Sequence, residues 1–342
     1  MDDGLRRIIE LIESKKKPSL PWKRQERYDQ PCYSFSPQRA SWEETWPSKV
    51  PSAEAISSSK FTIISWNIDF MLPHPDERMR AALKHLDTQV NSHSSPSIIM
   101  LQEMLQSDLD LIQAQPWVRD EYRMTDIDTK YWESGHYGTC TLIPKVWPVS
   151  AVFRVHYEPT VMERDGLFVD LDFGCNRTIR ICNTHLESLV ADPPKRPHQL
   201  AEVAKFMHDL SISGSVLGGD LNAIQDFDRS LHTDNGLQDA YLTLGGKEDS
   251  DDGYTWGQMA AVRQREMFGC SRMDKLIFCG QLECEKFERF GLGVEVEEKH
   301  VKKALVEDSG LEKGYVTDHA GVKAKFSMIE QEAQDTLKAM RA

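Results

Sequence analysis

The chain is short of four things, and each shortage removes a class of protein. It has no apolar run approaching the roughly 20 residues of a membrane-spanning helix, although 40% of its 342 residues are hydrophobic. It has no CxxC pair. Its 7 cysteines stand apart at 32, 140, 175, 182, 270, 279 and 284, an odd number without zinc-site spacing, as expected of reduced thiols serving as small apolar side chains. Its acidic start, Met1-Asp2-Asp3-Gly4, is followed by no signal-peptide h-region. Positive charge is not in excess either: 41 Lys and Arg against 54 Asp and Glu leave a formal net charge of −13. Such a field repels long polyanions, and it suits a strand end or a small phosphodiester better than tracking along duplex DNA. It also fits an acidic cleft that gathers divalent cations. The expectation is a soluble intracellular protein, nuclear or cytoplasmic, with apolar content ample for one large α/β domain or two ordinary ones.

Periodicity gives the organisation. Leu5, Ile8, Ile9 and Ile12 predict an amphipathic helix over 2–13, and Lys15-Lys16-Lys17 with Lys23, Arg24 and Arg27 form a basic stretch. That stretch reads equally as a nuclear import signal, a phosphate-contacting arm or a solvated linker. Residues 18–60, with several prolines, read as an extended lead-in pinned by Trp22, Trp42 and Trp46. Strands are expected at 61–66, 97–101, 138–144, 149–155, 166–173, 178–184, 215–218, 273–279 and 321–326. Helices are expected at 76–90, through Met79, Leu83, Leu86 and Val90, and at 198–210, through Val203, Phe206, Met207 and Leu210. Hairpin-spaced strands interleaved with helices fit stacked mixed sheets covered by helices. The expected division is 1–59 as lead-in, 60–328 as the main domain and 329–342 as a helical tail. Residues 248–252, rich in Asp and Glu, read as a surface loop.

Five motifs then stand at expected strand ends, in this order: Ser65-Trp66-Asn67, Leu101-Gln102-Glu103, Asn183-Thr184-His185-Leu186-Glu187, Gly219-Asp220-Leu221-Asn222 and Thr317-Asp318-His319. Asparagine, carboxylate and histidine so placed are the parts of a metal-assisted phosphodiesterase. An oxygen-ligated cation needs carboxylates, an attacking water needs an orienting base, and developing phosphorane charge needs donors. Each tripeptide alone is a weak signal; the ordered set is specific.

Aligned on these motifs, residues 60–327 resemble the endonuclease/exonuclease/phosphatase superfamily, which includes deoxyribonuclease I, abasic endonucleases and inositol-polyphosphate 5-phosphatases. Within it the chain is most similar to 5′-tyrosyl-DNA phosphodiesterases, through Trp66-Asn67-Ile68-Asp69, Thr184-His185-Leu186-Glu187-Ser188, and Tyr254-Thr255-Trp256 ahead of Arg272-Met273-Asp274-Lys275-Leu276. Three positions depart from that family: Leu221 stands for its usual threonine, Ile224 for an arginine and Thr317 for a serine.

The resemblance implies a four-layered sandwich of two packed mixed β-sheets flanked by helices. It also implies Mg²⁺ dependence, with Mn²⁺ as the alternative cation. Glu103 and Asp318 correspond to the metal carboxylates. Asp220 corresponds to the residue that orients and deprotonates the water, and Asn222 to its companion on the water or a phosphate oxygen. His319 would donate to a non-bridging oxygen with its tautomer fixed by Asp274, and His185 would be a second phosphate donor. Asn67 would bond the phosphate or position Glu103. Tyr137 and Trp256 would stack on the leaving group or a base, with core packing the even alternative for each. The implied substrate is the 5′ end of DNA, preferably single-stranded, carrying a tyrosyl adduct left by a topoisomerase. Two rivals stay open: another superfamily hydrolase, whether nuclease, RNA phosphodiesterase or small-molecule phosphatase, and a non-catalytic binding protein retaining the fold.

Overall fold

The computed structural model describes residues 10–47, 59–91, 95–174 and 177–329. Its strands are β1 Arg27–Asp29, β2 Cys32–Ser36, β3 Ser41–Thr45, β4 Lys60–Asn67, β5 Ser97–Met104, β6 Tyr122–Met124, β7 Gly138–Pro144, β8 Val149–His156, β9 Asp165–Asp172, β10 Thr178–His185, β11 Gly214–Asp220, β12 Gln238–Asp239, β13 Asp274–Gly280, β14 Leu282–Phe290 and β15 Gly321–Met328. They form a 7-stranded sheet, β1-β8-β9-β10-β11-β13-β12, and an 8-stranded sheet, β14-β15-β4-β5-β7-β6-β2-β3. Both are mixed: β4–β5 and β10–β11 are parallel pairs among antiparallel neighbours.

The near-continuous apolar runs of the central strands follow from burial on both faces. In β4, Phe61 and Ile63 join Ile98, Met100, Val169, Ile181 and Val216 in the core between the sheets. The alternate residues Ile64 and Trp66 face outward, onto Met79, Leu83 and Leu86 of the helix Pro75–Asn91. The other sheet repeats the scheme. Its outward residues Phe168, Cys182, Leu217 and Ile277 pack against Leu200, Val203 and Met207 of the helix Arg196–Met207. Helix, sheet, sheet, helix is therefore the layer order, with period-2 alternation sorting each strand between two cores.

The sequence and the structure differ in informative places. Residues 27–45, read as an extended lead-in, supply three strands: β1 extends one sheet through β8, and the β2–β3 hairpin extends the other through β6. Trp22 is buried and Trp42 donates its indole N–H to the Gln113 carbonyl at 3.3 Å, but Trp46 stays 57% exposed and pins nothing. The second predicted helix stops at Met207, where an Asp209 turn accepts from the Ser211 N–H at 2.9 Å, and Leu210 projects into solvent. The acidic loop is tethered, because Glu248 turns inward onto Arg272 and Lys275. The six cysteines among the described residues are free, and all but Cys270 are buried. No helix among them is long and apolar enough to cross a membrane. Most of the predicted N-terminal helix, the C-terminal tail beyond 329 and Cys175 lie outside the described residues; 10–14 are helical.

Candidate active site

Four candidate side chains leave the ends of the two parallel pairs. Asn67 ends β4 and Glu103 stands near the end of β5 in one sheet; His185 ends β10 and Asp220 ends β11 in the other. β11 packs directly on β4 and β5, so the two pairs of ends converge. Within its own sheet Gly219 takes φ +145°, and a Cβ there would lie 1.7 Å from the carbonyl oxygen of Thr184, its partner on β10. One step back along the strands a buried polar link joins the sheets, with Gln102 Nε2 donating to Asn183 Oδ1 at 2.8 Å. Asn183 Nδ2 in turn donates to the Leu101 and Cys140 carbonyls at 3.2 and 3.0 Å.

Asn67, fully buried, ties the carboxylates together. Its Nδ2 donates to Glu103 Oε1 at 3.2 Å and to Asp220 Oδ2 at 3.1 Å, while Glu103 Oε2 accepts the Phe70 N–H at 2.9 Å. Asp220 Oδ1 accepts the Asn222 N–H at 2.8 Å, and Asn222 Nδ2 is committed to the Leu186 carbonyl at 3.1 Å. Three residues of this group hold left-handed backbone: Asp69 at φ 56°, Glu103 at φ 60° and Asn222 at φ 48°.

Two histidines flank Asp220 Oδ2 and are tuned oppositely. His319 Nε2 lies 3.8 Å from it, and His319 Nδ1 lies 2.8 Å from Asp274 Oδ2. Burial opposes a charge on His319, yet Asp274, Asp318 and Asp220 together raise its pKa well above the usual histidine range. His185 Nε2 lies 3.3 Å from Asp220 Oδ2, while its Nδ1 faces the Arg164 guanidinium at 2.6 Å. A guanidinium cannot accept, so Nδ1 carries the lone pair and Nε2 the proton. Burial and the Arg164 charge also lower the pKa of His185. Burial pushes Asp220 up, but the His319 charge and the His185 contact outweigh it and hold the carboxyl below the usual range. Burial pushes Asp274 up to about 6 against the pull of His319.

On the other side of Glu103 two further carboxylates are raised. Burial, then the charges of Asp318 and Glu103, push Asp69 up to about 8. Asp318 is raised by burial, with Glu103 and Asp220 adding to it. Carboxylates raised in this way, Asp69 and Asp318, are short of positive charge, as beside a site for a hard divalent cation. Ligand atoms of Glu103, His185 and Asp220 lie within 4.8 Å of one another, as do those of Asp220, Asp274 and His319. Neither group contains Asp318 or Asp69; the oxygen donors of Glu103 and Asp220 have the chemistry that a hard divalent cation takes.

The model of the endonuclease/exonuclease/phosphatase family matches residues 64–319. The chain belongs to that family. The family is metal-dependent and its enzymes are hydrolases acting on phosphoesters. No curated protein matches the chain by sequence. Solved structures of the family share its fold. A D. rerio TDP2 complexed with single strand DNA product is 18% identical, with TM-score 0.60, over 79% of this chain and 100% of the other. A truncated Caenorhabditis elegans TDP2 is 23% identical, with TM-score 0.59, over 78% and 97%. The human Nocturnin catalytic domain with bound sulfate anion is 16% identical, with TM-score 0.54, over 79% and 95%.

Within this family frame the sequence-derived residues sort themselves. Asn67, Glu103, His185, Asp220, Asn222, Asp274, Asp318 and His319 meet in one cluster of mostly buried side chains. The two aromatic candidates are more committed than open platforms. Trp256, 9% exposed, donates its indole N–H to Asp318 Oδ2 at 2.6 Å. Tyr137 donates its hydroxyl to the Met162 carbonyl at 2.7 Å and stacks on Phe70 at 4.4 Å, with the Arg164 guanidinium 5.2 Å from its ring centre. Of the departures, Thr317 keeps the needed hydroxyl, donating to the Asn67 carbonyl at 2.9 Å and accepting the His319 N–H at 3.2 Å. Leu221 points into the core with Leu186, Leu200 and Leu231, while Ile224 lies 40% exposed. Two residues of the cleft had no role assigned from sequence. Asp69 closes the motif Trp66-Asn67-Ile68-Asp69, so a local signal for it is present. Arg164 sits in no motif, and nothing local announces that it will meet His185.

Proposed function

We propose that the chain is a Mg²⁺-dependent phosphodiesterase that hydrolyses 5′-phosphotyrosyl–DNA bonds to leave a 5′-phosphate, serving in the repair of covalent topoisomerase adducts. The observation that carries the chemistry is one buried carboxylate, Asp220, whose Oδ2 lies 3.3 Å from His185 Nε2 and 3.8 Å from His319 Nε2. With Oδ1 held by Asn222 and Oδ2 by Asn67, Asp220 is a fixed acceptor for a water. Its low pKa makes orientation a larger contribution than proton abstraction. His319, backed by Asp274, and His185, backed by Arg164, would both donate toward non-bridging oxygens whose charge grows during attack. When bound, the cation would neutralise phosphate charge, held by Glu103 and Asp318.

The substrate assignment rests on the tyrosyl-type motifs, on the likeness to the D. rerio TDP2 bound to single strand DNA product, and on the leaving group. A phenol has pKa near ~10, far below a sugar hydroxyl, so phenolate departs without a dedicated general acid. Exposed Ile224, where tyrosyl-type enzymes carry arginine, favours a second reading in which another phosphodiester is cleaved. The deciding experiment offers a 5′-phosphotyrosyl single-stranded oligonucleotide with Mg²⁺, beside the unmodified strand, an RNA and a small aryl phosphodiester. Tyrosine release that drops about 10³-fold in Asp220→Asn supports the proposal. Turnover of only the RNA or the small ester replaces it with the second reading.

A further inference from the structure

The basic stretch is not a solvated arm. Lys17 Nζ donates to three carbonyls of one loop, those of Thr129 at 2.6 Å, Lys130 at 2.9 Å and Trp132 at 2.5 Å. Trp22 is buried and lies face to face on His156, ring centres 4.1 Å apart. Arg24 bridges the Tyr157 carbonyl and Glu133. The fit is tight at backbone level, since a Cβ on Gly135 would lie 1.9 Å from the Lys15 carbonyl oxygen. Residues 15–24 thus form a strap fastened across the 129–137 loop.

That loop ends on Tyr137, whose ring lies on Phe70 at 4.4 Å with an interplanar angle of 5°. The Phe70 N–H is the donor to Glu103 Oε2. His136 adds an edge contact to the same Phe70 ring at 5.7 Å. A continuous packed path therefore runs from Lys17 through the loop and the Tyr137–Phe70 stack to a carboxylate of the cleft.

We propose that the strap sets the position of the 129–137 loop, and that Lys17 and Gly135 are positioning residues for Phe70 and Glu103. A lysine saturating three carbonyls supplies charge-assisted bonds that no neutral side chain replaces. Gly135 supplies the gap through which the strap backbone passes. The link to metal binding rests on the metal reading of Glu103; the link to Phe70 does not.

The test compares the full chain with Lys17→Met, Gly135→Ala and Lys17→Arg by hydrogen exchange, followed by Mn²⁺ titration. Met keeps the aliphatic stem, Ala introduces the backbone clash, and Arg keeps the donors. Exchange in 129–137 and at the Phe70 amide is expected to quicken about tenfold or more in the first two variants and to recover in the third. Exchange in β10 and β11 should not change. Mn²⁺ affinity should fall about tenfold in parallel. A quickened loop with Phe70 unchanged overturns the proposal, as does an unchanged loop. If the wild type binds no Mn²⁺, the metal reading of the site fails, and the exchange at Phe70 still decides the strap.

Discussion

At the scale of single residues the cleft separates two tasks that one side chain type performs in many sites. His319 and His185 are both imidazoles beside Asp220, but one is backed by a carboxylate and the other by a guanidinium. Burial and Arg164 lower the pKa of His185, while Asp274, with Asp318 and Asp220, raises that of His319 against burial. Trp256 poses a sharper question, since its indole N–H ends on Asp318. Trp256→Phe keeps the ring and deletes that donor. It is expected to weaken Mg²⁺ or Mn²⁺ binding about tenfold and to cost about 1 kcal/mol of stability. A raised KM for oligonucleotides with metal affinity unchanged would instead make Trp256 a stacking platform. Most residues of the cleft were legible because each sits in a motif at a strand end. Arg164 was not, because its partner His185 is 21 positions away on another strand and only the β9–β10 pairing brings them together.

At the scale of elements the buried strands were easy to read and the edges were not. β4, β5 and β10 are apolar and β-branched because both faces are covered, and that pattern is local. β1, β2, β3 and β14 are edge or near-edge strands of mixed polarity, whose pairing is decided by neighbours far along the chain. β8 carries a further consequence. His156 is fully buried, with both ring nitrogens lacking a hydrogen-bond partner among the described residues. Its Nδ1 lies 3.4 Å from Glu133 and 3.5 Å from Asp165, with Arg154, Arg24 and Lys17 also acting on it. Burial outweighs the Asp165 charge and pushes it down to about 3. The unfolded chain, with histidine near ~6.5, takes up the proton first on acidification, so this contribution is complete above that value and is lost as pH falls toward 3. About 2 kcal/mol should disappear between pH 7 and pH 5 from this group. Urea unfolding of wild type and His156→Gln at both pH values checks it, the difference between the two proteins narrowing at pH 5.

At the scale of the whole molecule, charge and chemistry divide the labour. The net charge of −13 works against any polyanion, and the cationic side chain Arg164 and the histidines His185 and His319 of the site are themselves buried. Binding of a single-stranded oligonucleotide to Asp220→Asn should therefore depend weakly on salt. A slope of log K against log salt near −1 to −2 is expected, the mark of two or three phosphate contacts. Fluorescence anisotropy across a salt series measures it, and a slope beyond about −4 would require an extended basic track. The overall architecture was legible from the alternation of strands and helices together with the motif order. The strap was not, because a run of lysines gives no sign of the carbonyls that will receive it.

Glu103 bears a conflict between what the fold prefers and what the cleft requires. Asparagine and aspartate, as at 222 and 69, tolerate left-handed backbone; glutamate has no such aptitude and is held at φ 60° by its surroundings. Glu103→Gly should relieve that conformation and raise stability by up to about 1 kcal/mol while abolishing turnover, readable as a higher melting temperature in an inactive protein. A search for hardier variants that scored melting alone would thus drift toward a dead enzyme, and glycine at this position in a related chain would mark the moment when selection for catalysis ceased.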